Sequence, residues 1–363
     1  MPEQEKKTKH KSHQFSGNIY IFHAFDVGDD INLEKIRSSS VITSRPLALP
    51  KYFKNYHIPL SIDLPEPNES IHCIGVKIHN FGAISLIYKI PFNNSLQDIH
   101  KELEALDNQF QEQSVTDLGL LFRRIKGFIS KPKFFYTRSS YVVLQVNPQP
   151  EVIDLPTLKK QYGGVIASTL RFETETLSEY QKNEILEDAI GYFRGDLIVI
   201  DPGAAFVYDP AHEEILDFFE FANIQQLELH YFDRILDQQL NMLYEEKARK
   251  VQLKAYLPFI GTLTRSPIDD LGKLKVEISV ITERLEGSIK VVGEPYFSEL
   301  YELLVEKLGL DDWKKTVNNK LNIIKEISLV LQKKIDSVRE DMLTVLIIIL
   351  IFIELLVALV THK

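Results

Sequence analysis

Residues 342–360, MLTVLIIILIFIELLVALV, constrain this chain more than any other stretch. They hold one charge, Glu354, and neither Pro nor Gly. As an α-helix they would be about 28 Å long, close to the ~30 Å hydrocarbon core of a bilayer. A helix in a soluble core needs one apolar stripe, whereas this run is apolar on every side. It reads as a transmembrane helix. Lys325, Lys333, Lys334 and Arg339 precede it, and only His362 and Lys363 follow. Basic flanks stay cytoplasmic, so the expectation is a tail-anchored single span. The bulk of the chain would lie in the cytoplasm, with residues 361–363 as a short outer tail. An ionised Glu354 at this depth would cost on the order of several kcal/mol. It either snorkels to the headgroups or shares a hydrogen bond across the helices of a homo-oligomer. Thr344 is the other polar side chain of the run, so Glu354 and Thr344 are the candidate anchor and oligomer contacts.

The rest of the composition is that of a globular chain. The formal net charge of -9 disfavours a general nucleic-acid binder, because phosphate contact needs basic surface. Cys73 is the only cysteine, which leaves no internal disulfide and no cysteine-built metal cluster. The start, MPEQEKKTKHKSHQFSG, carries Lys6, Lys7, Lys9 and Lys11 but no following apolar core. It does not read as a secretory signal or as a transit peptide. Residues 1–15 read as a solvated basic tail, with an arm that touches anionic lipid or RNA as the sharper alternative.

Residues 16–209 read as an α+β unit. NIYIFHAF (18–25) alternates like a strand, and Asp30 is the expected N-cap of a helix through INLEKIRSS. IHCIGVKIH (71–79) and AISLIYKIP (83–91) flank Asn80-Phe81-Gly82 as a hairpin. Ser95 caps a helix over 95–107, strand character returns at 133–147, and 177–192 has helical spacing. DLIVIDPGAAFVYD (196–209) is a second hairpin turned by Pro202-Gly203. From Pro210 the pattern changes to helix. Residues 211–257 lack Pro and Gly and read as one long helix, broken at 258–261. Leu271, Leu274, Ile278, Ile281, Leu285 and Val292 then follow an a/d-like spacing. Pro295 suits a restart, Gly309 a stop, and Asp311 or Asp312 the next cap. Val317, Leu321, Ile324, Leu331, Ile335, Val338 and Met342 repeat the spacing, with Ser328 as a polar interruption. The expected architecture is an α+β head (16–209), a long helical, coiled-coil-like stalk (210–341) and one C-terminal transmembrane helix (342–360).

Three segments resemble one family. VKIHNFGAISLIYKI resembles the strand–Phe/Tyr-Gly–strand motif of the "required for meiotic nuclear division" family, a group of unknown function. NIYIFHAFDVGDDINLEKIRSS resembles its opening strand and helix, and MLTVLIIILIFIELLVAL its closing helix with one Glu. The resemblance implies a membrane-anchored protein that assembles into oligomers, with a translation-related partner as the family's suggestion. Without a transit peptide, a bacterial cytoplasmic membrane is expected, or a mitochondrial inner membrane for a eukaryotic chain.

No phosphate loop ending in Lys-Ser/Thr appears. Gly163-Gly164 in QYGGVIAST is the nearest approach and reads as a loop or strand entry. His212 and His230 are five helical turns apart, about 27 Å, and cannot share a metal. Asp196, Asp201 and Asp209 bracket the second hairpin and read as solvated carboxylates that could at most gather a hard cation. Glu228, His230, Tyr231, Asp233 and Arg234 form a candidate polar contact face on the long helix. No cofactor is called for. Two functions stay open: a non-catalytic, membrane-anchored scaffold or adaptor with an unknown protein partner, or a membrane-bound enzyme with its site between head and stalk.

Overall fold

The computed structural model describes residues 13–39, 41–42, 44–45, 59–62, 72–133, 138–148, 152–193, 195–248, 267–287 and 294–361. The chain forms two compact units, Met1–Glu228 with Leu285–Asp311, and Leu229–Arg284 with Asp312–Lys363. The first unit therefore runs past Pro210 and takes in the region of Pro295. The tail at 1–12, the break at 258–261 and the positions Val292 and Gly293 lie outside the described residues.

An eight-stranded sheet organises the first unit. Its strands are β1 (Phe15–Asp26), β3 (Ser44–Arg45), β4 (Leu60–Ile62), β5 (Cys73–Ile78), β6 (Ala83–Asn94), β8 (Arg138–Val146), β9 (Leu197–Ile200) and β10 (Ala204–Tyr208). They lie in the order β3-β4-β5-β6-β1-β8-β10-β9. β10 runs parallel to β8, and every other neighbouring pair is antiparallel. A separate two-stranded ladder joins β2 (Asp30–Ile31) to β7 (Ile129–Ser130). Along β1, Ile19, Ile21 and Phe25 join one apolar core, while Tyr20, Phe22 and Ala24 are buried outside it. A sheet covered on both faces gives strands with continuous apolar runs.

The apolar core fills the space between one sheet face and the helices α2 (Leu96–Ile125), α3 (Leu155–Leu170) and α4 (Glu179–Glu187). Ser95 caps α2 as expected, Asp154 caps α3, and Ser178 caps α4. Gly163 belongs to α3 and not to a loop. A Cβ there would meet Leu186 at 2.7 Å, so the missing side chain lets α4 lie close. The Asp30 cap is corrected: Asp30 pairs with Ser130 in the small ladder, and Asn32 caps α1 (Leu33–Ser38) through Lys35 N at 2.9 Å. The β5–β6 turn holds Gly82 at φ 101°, and a Cβ there would sit 1.8 Å from the Gly28 carbonyl oxygen.

Across the other sheet face runs the first half of α5 (Glu213–Ala248). Phe219 stacks on Tyr141 with centroids 5.5 Å apart, and Asn223 donates to the Phe22 carbonyl at 3.4 Å. α7 (Pro295–Lys307) completes this unit: Phe297 stacks on Phe218 at 5.3 Å, and Tyr301 donates to Gln225 at 2.9 Å. Pro295 opens α7, and Gly309, at φ 63°, ends it, as the sequence suggests.

The second unit is helical. Phe232, Leu236 and Leu243 of α5, Ile278 and Ile281 of α6 (Pro267–Gly287), and Val317, Leu321 and Ile324 of α8 (Leu310–Thr361) are buried. Trp313 lies edge-on to His230 at 4.3 Å, and Lys320 bridges Asp233 at 2.6 Å and Asp237 at 2.7 Å. α8 begins at Leu310, which places Asp311 and Asp312 inside its first turn and not at its cap. The spacing of Ile278, Ile281, Val317, Leu321 and Ile324 thus marks burial within one chain. α8 continues unbroken to Thr361, and its most apolar part has no buried residue.

Candidate functional site

The β9–β10 hairpin sets up the most concentrated polar site. Its register pairs Tyr208 with Leu197, so the next residues out, Asp209 and Asp196, come side by side. Both are about 94% buried. Asp196 Oδ2 accepts from Phe193 N at 3.0 Å, and Asp209 Oδ1 accepts from Ala211 N at 2.7 Å. Burial, with the neighbouring Asp196 adding to it, raises the Asp209 pKa above the usual carboxylate range. The expectation of solvated carboxylates is therefore corrected. Asp201 is buried as well and pairs with Arg171 at 2.8 Å, although burial still holds its pKa up.

Asp196 and Asp209 open onto a cleft of about 660 Å³. Glu213, Glu214 and Glu294 add three carboxylates, and Tyr192, Phe193, Tyr296 and Phe297 add aromatic walls. Tyr192 and Phe193 are 60% and 68% exposed and stack edge to face at 4.8 Å. Tyr192 also meets Tyr296 at 5.1 Å. The Tyr296 hydroxyl is buried with no hydrogen-bond partner among the described residues, and burial with Asp209 and Asp196 nearby raises its pKa. Carboxylates beside aromatic faces suit an amine or guanidinium, by charge and by cation–π attraction.

A second polar layer lies between the sheet and α5. Lys77 bridges Asp217 at 3.1 Å and also Glu220. Asp26 and Glu228 are both buried, and each has one carboxylate oxygen with no partner among the described residues. Burial raises both pKa values, that of Asp26 to about 6, and the Asp26 charge adds to the shift at Glu228. His23, packed against Tyr88 on the opposite sheet face, is held at about 4 by burial and by Arg138. Among the described residues, no group of three or more His, Cys, Asp or Glu is placed to hold a metal ion.

The candidate face on α5 is dispersed. Glu228 is buried in the first unit beside Asp26, whereas His230 rests on Trp313 and Asp233 binds Lys320 in the second. Tyr231 is half-buried against Phe232, and Arg234 is exposed. His212 lies 3.3 Å from the Tyr20 hydroxyl. Glu354 and Thr344 both lie on exposed α8, where Thr344 donates to the Glu340 carbonyl at 2.9 Å. The sequence reading missed Lys77, Tyr192, Phe193, Glu294 and Tyr296, and it placed Glu220 only as a polar residue upstream of the α5 stretch. The hairpin register alone would have paired Asp196 with Asp209.

Comparison with known proteins corrects the family resemblance. The chain matches the family model for the N-terminal domain of the uncharacterised protein MJ0711 over residues 16–214. MJ0711 itself, from Methanocaldococcus jannaschii, is 27% identical over 214 residues. The alignment covers 58% of this chain and 63% of the relative, so the chain spans less than two thirds of the relative's length. No solved structure matches. The resemblance to the "required for meiotic nuclear division" family rested on an opening strand and helix, a Gly-containing hairpin and an Ile/Leu-rich run, features that unrelated chains share. The translation-related partner had no other basis and falls with it. The chain belongs to the family defined by the N-terminal domain of the archaeal uncharacterised protein MJ0711.

Proposed function

We propose that this chain is a membrane-tethered scaffold or adaptor, held by residues 342–360, whose head takes a positively charged segment of a partner protein in the Asp196–Asp209 cleft. The observation that carries the tether is exposure. Fifteen large apolar side chains between Leu343 and Val360 face away from the protein. Burial of one such side chain is worth about 1.5–3 kcal/mol, so their exposure to water would forgo on the order of tens of kcal/mol. That exceeds the whole stability of a typical domain, roughly 5–15 kcal/mol. A bilayer removes the penalty. The cleft supports the partner's chemistry, because its five carboxylates and two exposed aromatics favour Lys or Arg.

Deletion of residues 342–363 tests the tether. The shortened chain should leave carbonate-washed membranes for the soluble fraction, and its retention would refute the assignment. A photo-crosslinking amino acid at Tyr192 tests the cleft. The captured segment, read by mass spectrometry, should be rich in Lys or Arg, and Asp209→Asn should weaken capture. An acidic or wholly apolar segment would refute the cleft reading.

A further inference from the structure

We propose that two copies of the chain associate in the membrane through one face of α8, as a parallel, in-register pair centred on Glu354. This rests on the membrane reading above. Between residues 343 and 361, the side chains other than large apolar ones are Thr344, Glu354, Ala358 and Thr361. All four fall, with Ile347 and Ile351, on a single seam of alternating three- and four-residue steps, 344-347-351-354-358-361. That spacing is the heptad seam of paired helices. Small and polar residues are the ones that mediate helix contact in lipid.

Among the described residues, none covers this face between Leu343 and Thr361. Val317, Leu321 and Ile324, which α8 buries in the second unit, lie about 120° around the helix from the seam at 100° per residue. Carried upstream, the seam register meets Ile323 and Val330, which are 43% and 57% exposed. Among the described residues, α8 is the one helix long and apolar enough to cross a membrane, so none of them supplies α8 with a partner span.

Geometry favours a second copy. Thr344 and Thr361 spend their hydroxyls on the backbone of their own helix, at Glu340 O (2.9 Å) and Val357 O (2.8 Å). Their oxygens can still accept, but a protonated Glu354 is the seam's remaining side-chain donor. Copies inserted the same way place it at one depth, where one protonated carboxyl donates to its counterpart. Reversing one helix about the middle of the run would set Glu354 against Ile348. Ala358, one turn on, lets the backbones approach.

Cysteine cross-linking of the full chain in membranes tests this. In a Cys73→Ser background, Ile351→Cys and Ala358→Cys report the seam, and Ile349→Cys and Leu356→Cys the opposite face. Carbonate washing first scores insertion, so a chain that washes out overturns the tether itself. For inserted chains, seam positions should form disulfide-linked dimers and opposite-face positions should not. Glu354→Leu should leave insertion intact and cut the seam yield about fivefold, the scale of one interhelical hydrogen bond in lipid. Glu354→Gln, which both donates and accepts, should keep most of the yield. Equal yields on both faces, or a Glu354→Leu yield equal to the parent's, would overturn the proposal while leaving the tether standing.

Discussion

Lys77→Met is the sharpest perturbation of the head. The Lys77 side chain is 14% exposed and that of its partner Glu220 3%. Burial alone would lower the lysine pKa, but Glu220 and Asp217 outweigh it and hold it above its ordinary value. The substitution removes the cation and strands a buried carboxylate, one oxygen of which already lacks a partner. Breaking a buried pair from one side costs about 3–5 kcal/mol. Asp217, with a side chain 32% exposed, keeps access to water and adds little. The low end therefore applies, about 3 kcal/mol, or roughly 6–12 °C in melting temperature for a unit of this size. Glu220→Leu added to Lys77→Met removes the stranded charge and should recover all but about 1 kcal/mol. Because the folded pKa of Lys77 is raised, its contribution is complete below the unfolded value, about 10.4, and is lost only as pH rises through the folded one. The cost should be flat between about pH 6 and 9. Hydrogen exchange of β5 and β6 amides in the detergent-solubilised full chain reads the free energy locally. A cost below about 1 kcal/mol, or a double variant weaker than the single one, would refute the reasoning.

Asp26→Asn should stabilise the head at neutral pH by about 2–3 kcal/mol, since a carboxyl held near 6 contributes stability below about pH 4 that is lost as pH rises through 6. Urea midpoints should show the gain vanishing at pH 4. His23→Phe should flatten acid sensitivity, because a histidine held near 4 gives stability that is complete above about pH 6.5 and lost as pH falls toward 4. Matched urea titrations between those limits check it. Gly82→Ala should cost more than about 1 kcal/mol through its positive φ and its close contact with Gly28. Gly119→Ala, with open space around the added carbon inside α2, should stabilise by about 0.5–1 kcal/mol in the same melts.

Both hairpins were legible because their turns need particular residues. Gly82 supplies a positive φ, and Pro202-Gly203 turns β9 into β10. Ser95 was legible as a cap because its side chain accepts from Asp98 N. Asp30 misled for a related reason. Asn32, two residues on, offers the same side-chain chemistry, and pairing with Ser130 decided between them. The course of α5 was harder to read. Between Phe218 and Leu229 it is buried at every position but Gln226, so it has no solvent stripe to distinguish core helix from stalk. A helix buried all round looks alike in a head and in a bundle.

The site was less legible than the fold, and the reason is spatial. Asp196 and Asp209 stood out in the sequence, yet reading them as solvated turn carboxylates ignored a register that sets them together. Tyr296 and Glu294 reach the same cleft from about ninety residues downstream, and no periodicity reports such a meeting. Lys77 and Glu220 met the same obstacle, because each alone resembles an ordinary surface charge. Their burial follows from α5 lying across the sheet face that carries Lys77, Tyr141 and Phe22. The residues of the polar face expected on α5 part for the opposite reason. Glu228 and Asp233 are close in sequence, but five residues turn the helix by about 500°, well over a full revolution. One carboxylate therefore meets Asp26 and the other Lys320. Adjacency in sequence predicted a shared face, and helical geometry separated it.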